Sequence, residues 1–230
     1  MAPTAVVTGS GSGLGRHIAS LLAGNGYRVV IADVDGRAAE ACARAIGPAA
    51  RAVAADVREP GDLDRIVTAA CELGDPSVLV NNAGGWSPRR QYPEAPADEW
   101  TATLALNLTA PMRLGQLMLE PMRAAGGGAI VNIASSAGVG AEPYGSPEYG
   151  AAKAGLIRFT TSAAGLARSH GVRVMCVVPG WIGLDRAHAE QARMDPADRL
   201  PLIPPSEIAG VVLDLVRRGA SGTVVEMLEP

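Results

Sequence analysis

The sequence predicts an α/β fold, a single doubly wound parallel sheet of about seven strands with helices on both faces. Three observations predict it. Short β-branched runs alternate with Ala- and Leu-rich helical stretches along all 230 residues. Runs such as Val29-Val30-Ile31 and Val174-Met175-Cys176-Val177-Val178 are apolar on both faces, as strands covered on each side must be. A glycine-rich turn, Thr8-Gly9-Ser10-Gly11-Ser12-Gly13-Leu14-Gly15, joins the first strand to the first helix. At 48% hydrophobic the chain can bury a full core, and its length suits one domain over 1–230.

Taken in order, the expected strands are Ala5–Thr8, Arg28–Asp33, Ala52–Ala55, Val78–Asn81, Ala129–Ala134, Val172–Val178 and Thr223–Met227. Helical periodicity runs near Leu14–Gly24, Arg37–Ala45, Leu63–Leu73, Asp98–Arg123, Tyr149–Arg168 and Glu207–Arg218. Seven strands with six helical crossovers make one parallel sheet. Two longer, Pro-containing loops, Gly85–Ala97 and Trp181–Pro205, follow strands and so belong at the carboxyl edge, where open α/β sheets bind ligands. The second, 181–205, is expected to act as a short lid.

Composition removes several classes. There are 20 Lys+Arg against 23 Asp+Glu, a net charge of −3, and Lys153 is the sole lysine. The dispersed arginines form no basic stripe, so neither nucleic acid nor an anionic membrane is an expected partner. No apolar run reaches bilayer length, and the strand-like start leaves no room for a signal segment. Cys42, Cys71 and Cys176 are odd in number and far apart, which points to no disulfide framework, no zinc site and a reducing cytoplasm. His17, His170 and His188 form no HExxH pair, so no metal is expected.

The glycine turn lets backbone approach a pyrophosphate at the positive end of the first helix. Asp33 ends the second strand 18 residues after Gly15, where its carboxylate can accept both hydroxyls of an adenosine ribose and repel a 2′-phosphate. No basic residue directly follows Asp33, and Ser12 rather than Lys or Arg precedes Gly13. NAD is therefore expected over NADP. A strand-end Asp that merely satisfies its loop is the plainer reading. An S-adenosylmethionine-binding Rossmann-type domain is compatible with these residues alone.

Tyr149-Gly-Ala-Ala-Lys153 places a phenol and an ammonium at i and i+4, neighbours on one helix face. A free tyrosine ionises near pH 10, and a fixed cation close by favours the phenolate, which suits acid/base work near neutrality. An ordinary exposed lysine is the plainer alternative.

With these motifs in place, the chain resembles a short-chain dehydrogenase/reductase along essentially its whole length. Thr8-Gly9-xxx-Gly13-x-Gly15 is similar to that family's cofactor turn, and Asp56-Val57 to its adenine-contacting Asp-Val. Asn81-Asn82-Ala83-Gly84 matches the family's Asn-Asn-Ala-Gly, and Asn107 its active-site Asn. Pro179-Gly180 matches the turn beside the nicotinamide, with backbone of Ile182 available to the carboxamide. The resemblance implies that Tyr149 exchanges a proton with the substrate oxygen during hydride transfer. It implies that Lys153 lowers the Tyr149 pKa and bonds the nicotinamide ribose, while Asn107 holds a water on the proton path. Ser136, 13 residues before Tyr149, is implied as the hydroxyl on the substrate oxygen; Ser135 is its rival, since strand alternation turns one of the two away. The expected cofactor contacts are thus Gly9, Ser12, Gly13, Leu14, Gly15, Asp33, Asp56, Val57, Asn82, Ala83, Gly84, Tyr149, Lys153, Pro179, Gly180 and Ile182.

Two departures stand out. The family often reads Pro-Gly-x-x-x-Thr, whereas Leu184 occupies the Thr position here, and the segment after the last strand is short. Trp86, Tyr144, Trp181, Leu184 and His188, with Ser136, are the expected substrate wall. That largely apolar set suits a neutral, moderately hydrophobic secondary alcohol or ketone. Arg89, Arg90 and Arg186 lie in the same loops as solvated side chains, with carboxylate binding as the alternative. The resemblance also implies a homodimer or homotetramer through Asp98–Arg123 and Tyr149–Arg168. A non-catalytic nucleotide-binding regulator or scaffold of the same fold is the alternative function, although it explains less of the Tyr149, Lys153, Ser136 and Asn107 set.

Overall fold

A computed structural model describes residues 2–86, 90–141, 144–196 and 199–229. Seven strands form one sheet: β1 (Pro3–Thr8), β2 (Arg28–Asp33), β3 (Ala50–Ala54), β4 (Asp75–Asn81), β5 (Gly128–Ile133), β6 (Val172–Pro179) and β7 (Val224–Met227). Their order is β3-β2-β1-β4-β5-β6-β7, with every pairing parallel. Chain direction reverses its march across the sheet between β1 and β4, and that switch point opens the crevice in which such sheets bind ligands.

The helices are α1 (Gly13–Gly24), α2 (Gly36–Ile46), α3 (Pro60–Leu73), α4 (Ala97–Leu104), α5 (Ala110–Ala124), α6 (Pro147–Ser162), α7 (Leu166–His170), α8 (Asp185–Gln191) and α9 (Pro205–Arg218). Strand alternation divides the core into two layers. Val7, Ile31 and Val177 pack with Leu14, Ile18, Leu22 and Val212 on the α1/α9 face. Val6, Val30 and Leu79 face the opposite way, against Leu63, Ile66, Leu114 and Met118 of α3 and α5. Each such fully buried aliphatic side chain contributes ~1.5–3 kcal/mol of transfer free energy.

Three differences from the sequence reading matter for function. The expected helix Asp98–Arg123 is split by a π-helical turn, Ala105–Thr109, that carries Asn107. The stretch Tyr149–Arg168 breaks at a 3-10 turn, Ala163–Gly165. The segment 181–205 is not simply a loop, because it holds α8 and a short parallel bridge, Ile182 to Ile203. Ile203 donates its N–H to the Trp181 carbonyl (2.7 Å), Gly183 donates to the Ile203 carbonyl (2.8 Å), and Ile203 is fully buried. Apolar burial at Ile203 thus pins both ends of this segment to the sheet edge. Among the described residues, no helix is long and apolar enough to cross a membrane, and no cluster of His, Cys, Asp and Glu could hold a metal ion.

Candidate active site

The carboxyl ends of β1, β2 and β4 converge on the glycine turn. Gly9 adopts φ +62°, and a Cβ there would stand 2.9 Å from the Ala83 Cα. Only glycine lets the two turns lie this close. Thr8 and Asn82 lock them together: the Thr8 Oγ1 accepts from the backbone N–H of Asn82 and of Ala83, both at 3.0 Å. The Asn82 Nδ2 donates to the carbonyls of Thr8 (2.9 Å) and Gly9 (3.0 Å). The result is a cavity of about 340 Å3 walled by Gly9, Ser12, Asp33, Val57, Ala83 and Gly84. Asp33 reaches across its floor, with Oδ2 accepting from the Gly11 N–H at 2.8 Å and Oδ1 from the Asp35 N–H at 3.0 Å.

These residues fit a dinucleotide. Backbone amides and a helix N-terminus face the place of the phosphates, and a fixed carboxylate stands where a ribose diol would bind. Beside Asp33 on the neighbouring strand end, the Asp56 carboxylate is gripped by Arg58, through Nε at 2.9 Å and Nη2 at 2.6 Å. This bond to the guanidinium holds the Asp56 carboxyl below its usual range.

The segment after β6 also reaches the glycine turn. A Cβ on Gly13 would meet the Leu184 Cδ1 at 3.4 Å, so Leu184 lies against the glycine turn. Gly180 is packed under the last residues of the chain, where a Cβ would approach the Leu228 carbonyl oxygen to 2.6 Å. His188 comes near Gly183, its Nε2 3.6 Å from a Cβ built there.

The polar side chains of the second region come from β5, α6 and the π-helical turn. Lys153 is buried at 3% exposure and donates from Nζ to the Ile133 carbonyl at 2.8 Å. Burial lowers its pKa to about 8, so the ammonium is largely retained at neutral pH. Its Nζ lies 5.6 Å from the centroid of the Tyr149 ring. Asn107, fully buried, is bound to Gly85 in both directions: Nδ2 donates to the Gly85 carbonyl (2.7 Å) and Oδ1 accepts from its N–H (3.0 Å). A second Nδ2 bond, 2.9 Å to the Thr103 carbonyl, uses the other amide proton. Gly84 sits between these groups, since a Cβ there would lie 2.8 Å from the Asn107 Oδ1 and 3.0 Å from the Lys153 Nζ. Asn107, Gly84 and Lys153 therefore form a continuous polar floor next to the dinucleotide cavity.

A buried chain of hydrogen bonds supports that floor. Asn81 donates to the Asn132 Oδ1 (2.9 Å), Asn132 to the Thr160 Oγ1 (2.9 Å), and Thr160 to the Leu156 carbonyl (2.9 Å). It joins β4, β5 and α6, the elements that carry Gly84, Ser135 and Lys153. Asn132 and Thr160 went unnoticed in the sequence because nothing local distinguishes them from surface polar residues. Asn at the non-terminal fifth position of an otherwise apolar strand was the available signal.

Two findings at Tyr149 bear on the expectations. Ser135, the rival to Ser136, is the serine whose hydroxyl acts on the phenol. The backbone at Ser135 is still extended (φ −167°, ψ 153°) and its Oγ accepts from the Ala137 N–H at 3.2 Å. That bond starts the 3-10 turn Ser136–Gly138, which diverts Ser136 to another cavity of about 530 Å3, shared with Val139, Trp181, Leu200 and Leu228. The second finding concerns acidity. Burial raises the Tyr149 pKa, Ser135 offsets part of this, and no lowering by Lys153 emerges. At 5.6 Å from the ring, with its ammonium engaged by a carbonyl, Lys153 acts on the phenol less than desolvation does.

The aromatic wall divides as well. The Tyr144 ring packs against the Tyr149 ring at 5.9 Å, tilted by 33°. Trp86 lies under the Arg186 guanidinium, 5.5 Å from ring centroid to Cζ, while Trp181 belongs to the Ser136 cavity. Arg90 pairs with Glu99 at 3.3 Å. Arg89 lies outside the described residues.

Comparison with known proteins bears directly on this arrangement. A family model described as short chain dehydrogenase matches residues 3–195. A cis-4-hydroxycyclohexanecarboxylate dehydrogenase from Sinomonas cyclohexanicum is 37% identical over 235 residues, covering 97% of this chain and 93% of that protein. An uncharacterized oxidoreductase from Thermotoga maritima is 39% identical over 197 residues, covering 84% and 76% respectively. A solved structure of a short chain dehydrogenase/reductase family protein superposes with a TM-score of 0.86 at 32% identity, covering 97% of this chain and 94% of the other. A Rossmann-type sheet, a glycine turn locked to the β4 turn and a matching relative over nearly the full length leave one conclusion: the chain belongs to the short-chain dehydrogenase/reductase family of oxidoreductases.

Proposed function

We propose that the chain is an NAD-dependent dehydrogenase that interconverts a secondary alcohol and its ketone, with Tyr149 as general acid/base. One observation supports this reading: the buried Lys153 ammonium lies 5.6 Å from the Tyr149 ring and against Gly84, which walls the cavity that also holds Asp33. Bound there, a nicotinamide dinucleotide supplies the hydride donor or acceptor. The protein's own part is to orient the substrate and move one proton. Ser135 donates to the substrate oxygen and fixes it against the Tyr149 hydroxyl, the role expected of Ser136. Tyr149 delivers its proton to that oxygen as a ketone is reduced and removes it as an alcohol is oxidised. Because burial keeps the phenol protonated, the chain alone is set for the donor step, and oxidation gains as pH rises.

Lys153 is available to the nicotinamide ribose as a point-charge donor. Asn107 spends both Nδ2 protons on Gly85 and Thr103 and holds the Gly84–Gly85 turn in place, while its Oδ1, which accepts from the Gly85 N–H, keeps a second lone pair for a water on the proton path. Asp33 supports NAD over NADP, since a 2′-phosphate would face its carboxylate. The Tyr144 and Trp86 rings suit a substrate with an apolar body, in keeping with the cyclic substrate named for the Sinomonas relative.

Residues 1–230 act as one catalytic domain in this reading, and the three free cysteines suit a reducing cytoplasm. Met112 and Leu117, both about 40% exposed on α5, favour a homo-oligomer through that helix. The deciding experiment follows NADH absorbance with a panel of cyclic and acyclic secondary alcohols, each offered NAD and NADP. NADH production from at least one alcohol is expected, with NADP supporting ~10-fold less; turnover with NADP alone contradicts the reading.

A further inference from the structure

The Arg186 guanidinium stands at the mouth of the site, and its setting is unusual for a surface arginine. Trp86 holds it from one face, 5.5 Å away, although Trp86 follows β4 and Arg186 lies in α8, after β6. The Arg186 Nε donates to Glu190 Oε1 at 2.9 Å, one turn along α8. Its charge also reaches the Tyr144 phenol, where it opposes the upward push of burial, and Glu190 acts there with the opposite sign. Tyr144 in turn packs on Tyr149. A cation, two aromatic rings and the reacting phenol therefore lie in sequence.

A guanidinium has five N–H donors, and among the described residues Glu190 engages Nε, which leaves the Nη edge to bind a planar anion in a fork. Glu190 offsets the guanidinium charge, so the pair is neutral overall and a carboxylate is held by the fork of N–H donors rather than by net charge, which opposes a dianion such as a phosphate ester more strongly. The other loop guanidinium with a described setting, Arg90, is turned to Glu99 on α4.

We propose that Arg186 recognises a carboxylate on the substrate, at the end remote from the reacting carbon, with the apolar body lying between Trp86 and Tyr144. This rests on the alcohol dehydrogenase reading above and replaces the neutral substrate expected from the sequence. The substrate class is then an apolar hydroxy- or oxo-monocarboxylic acid.

The test uses two readouts on the full chain with saturating NAD, for the parent, Arg186→Leu and Arg186→Lys. The first is the ratio of kcat/KM for 4-hydroxycyclohexanecarboxylate to that for cyclohexanol. The second is the calorimetric Kd of cyclohexanecarboxylate, which carries the anion but no reacting hydroxyl. The parent ratio is expected to be about 20 or more, falling near 1 in Arg186→Leu and partly restored in Arg186→Lys, with the Kd weakened about 10-fold by the leucine. A parent ratio near 1, or a carboxylate Kd unchanged by Arg186→Leu, overturns the proposal. If no alcohol reduces NAD while the carboxylate still binds through Arg186, the dehydrogenase reading fails and the anion site stands.

Discussion

The dinucleotide cavity and the reacting corner share one sheet edge but are built differently. Around Gly9, the contacts run between contiguous turns: Thr8 to Asn82, Gly11 to Asp33, Gly9 against Ala83. Around Tyr149, the groups come from elements apart in the chain: Ser135 after β5, Tyr144 before α6, Lys153 in α6. The first region is fastened by glycine backbone and by the Thr8, Asn82 and Asp33 side chains bonded to it, and the second by side chains that meet one another. A Cβ in the glycine turn destroys the close approach, whereas side-chain contacts tolerate small shifts. The first region is therefore set by backbone fit and the second by which side chains its elements deliver.

The largest effect expected to sharpen this contrast comes from Lys153→Met. Removing the ammonium beside Gly84 and Tyr149 takes away a charged donor that no backbone group replaces, and kcat/KM for alcohol oxidation should fall ~10²–10³-fold. A loss of less than about 5-fold would mean that Lys153 serves the fold alone.

Next in size is the pair Ser135→Ala and Ser136→Ala. The first should reduce kcat ~10²-fold by removing a donor at the substrate oxygen, and the second by no more than about 3-fold. Steady-state kinetics on both proteins reads the difference, and the reverse ranking would return the role to Ser136.

On the cofactor side, Asp33→Ser should raise the KM for NAD and shift the NAD-to-NADP preference ~10-fold toward NADP. The same substitution also removes the acceptor for the Gly11 N–H. An unchanged preference would leave Asp33 as a loop anchor only.

The smallest effect is a pH dependence of stability. Lys153 in the folded chain has a pKa of about 8 against 10.5 for the free side chain. Between these values the unfolded chain binds the extra proton, so stability rises with pH across that window. Below pH 8 both states are protonated and the full cost of the buried charge applies. Denaturant unfolding should therefore show the parent gaining on Lys153→Met between about pH 8 and 10; a parallel pair of pH curves would exclude the buried ammonium.

How much was legible follows the same division. The sheet was readable because β2 is apolar on both faces, and the glycine turn because its function lies in consecutive residues. Asp33, Tyr149 and Lys153 were visible through fixed local spacing. The choice between Ser135 and Ser136 was not legible because a residue count does not register the 3-10 turn Ser136–Gly138, which starts at Ser135 and sends Ser136 to another cavity. The division of Trp86 and Trp181 between two cavities was invisible for a related reason: sequence places both after strands at the same edge but not their separate partners. The raised Tyr149 pKa escaped because i to i+4 spacing shows the nearby cation but not the desolvation that outweighs it.

The assignment of the reacting proton to Tyr149 is tested most directly by Tyr149→Phe, assayed for NADH formation with a productive alcohol while NAD binding is titrated in parallel. The account predicts a fall in kcat of ~10³-fold or more with the Kd for NAD changed by no more than about 3-fold. Turnover within a few-fold of the parent, with NAD still bound, would contradict it.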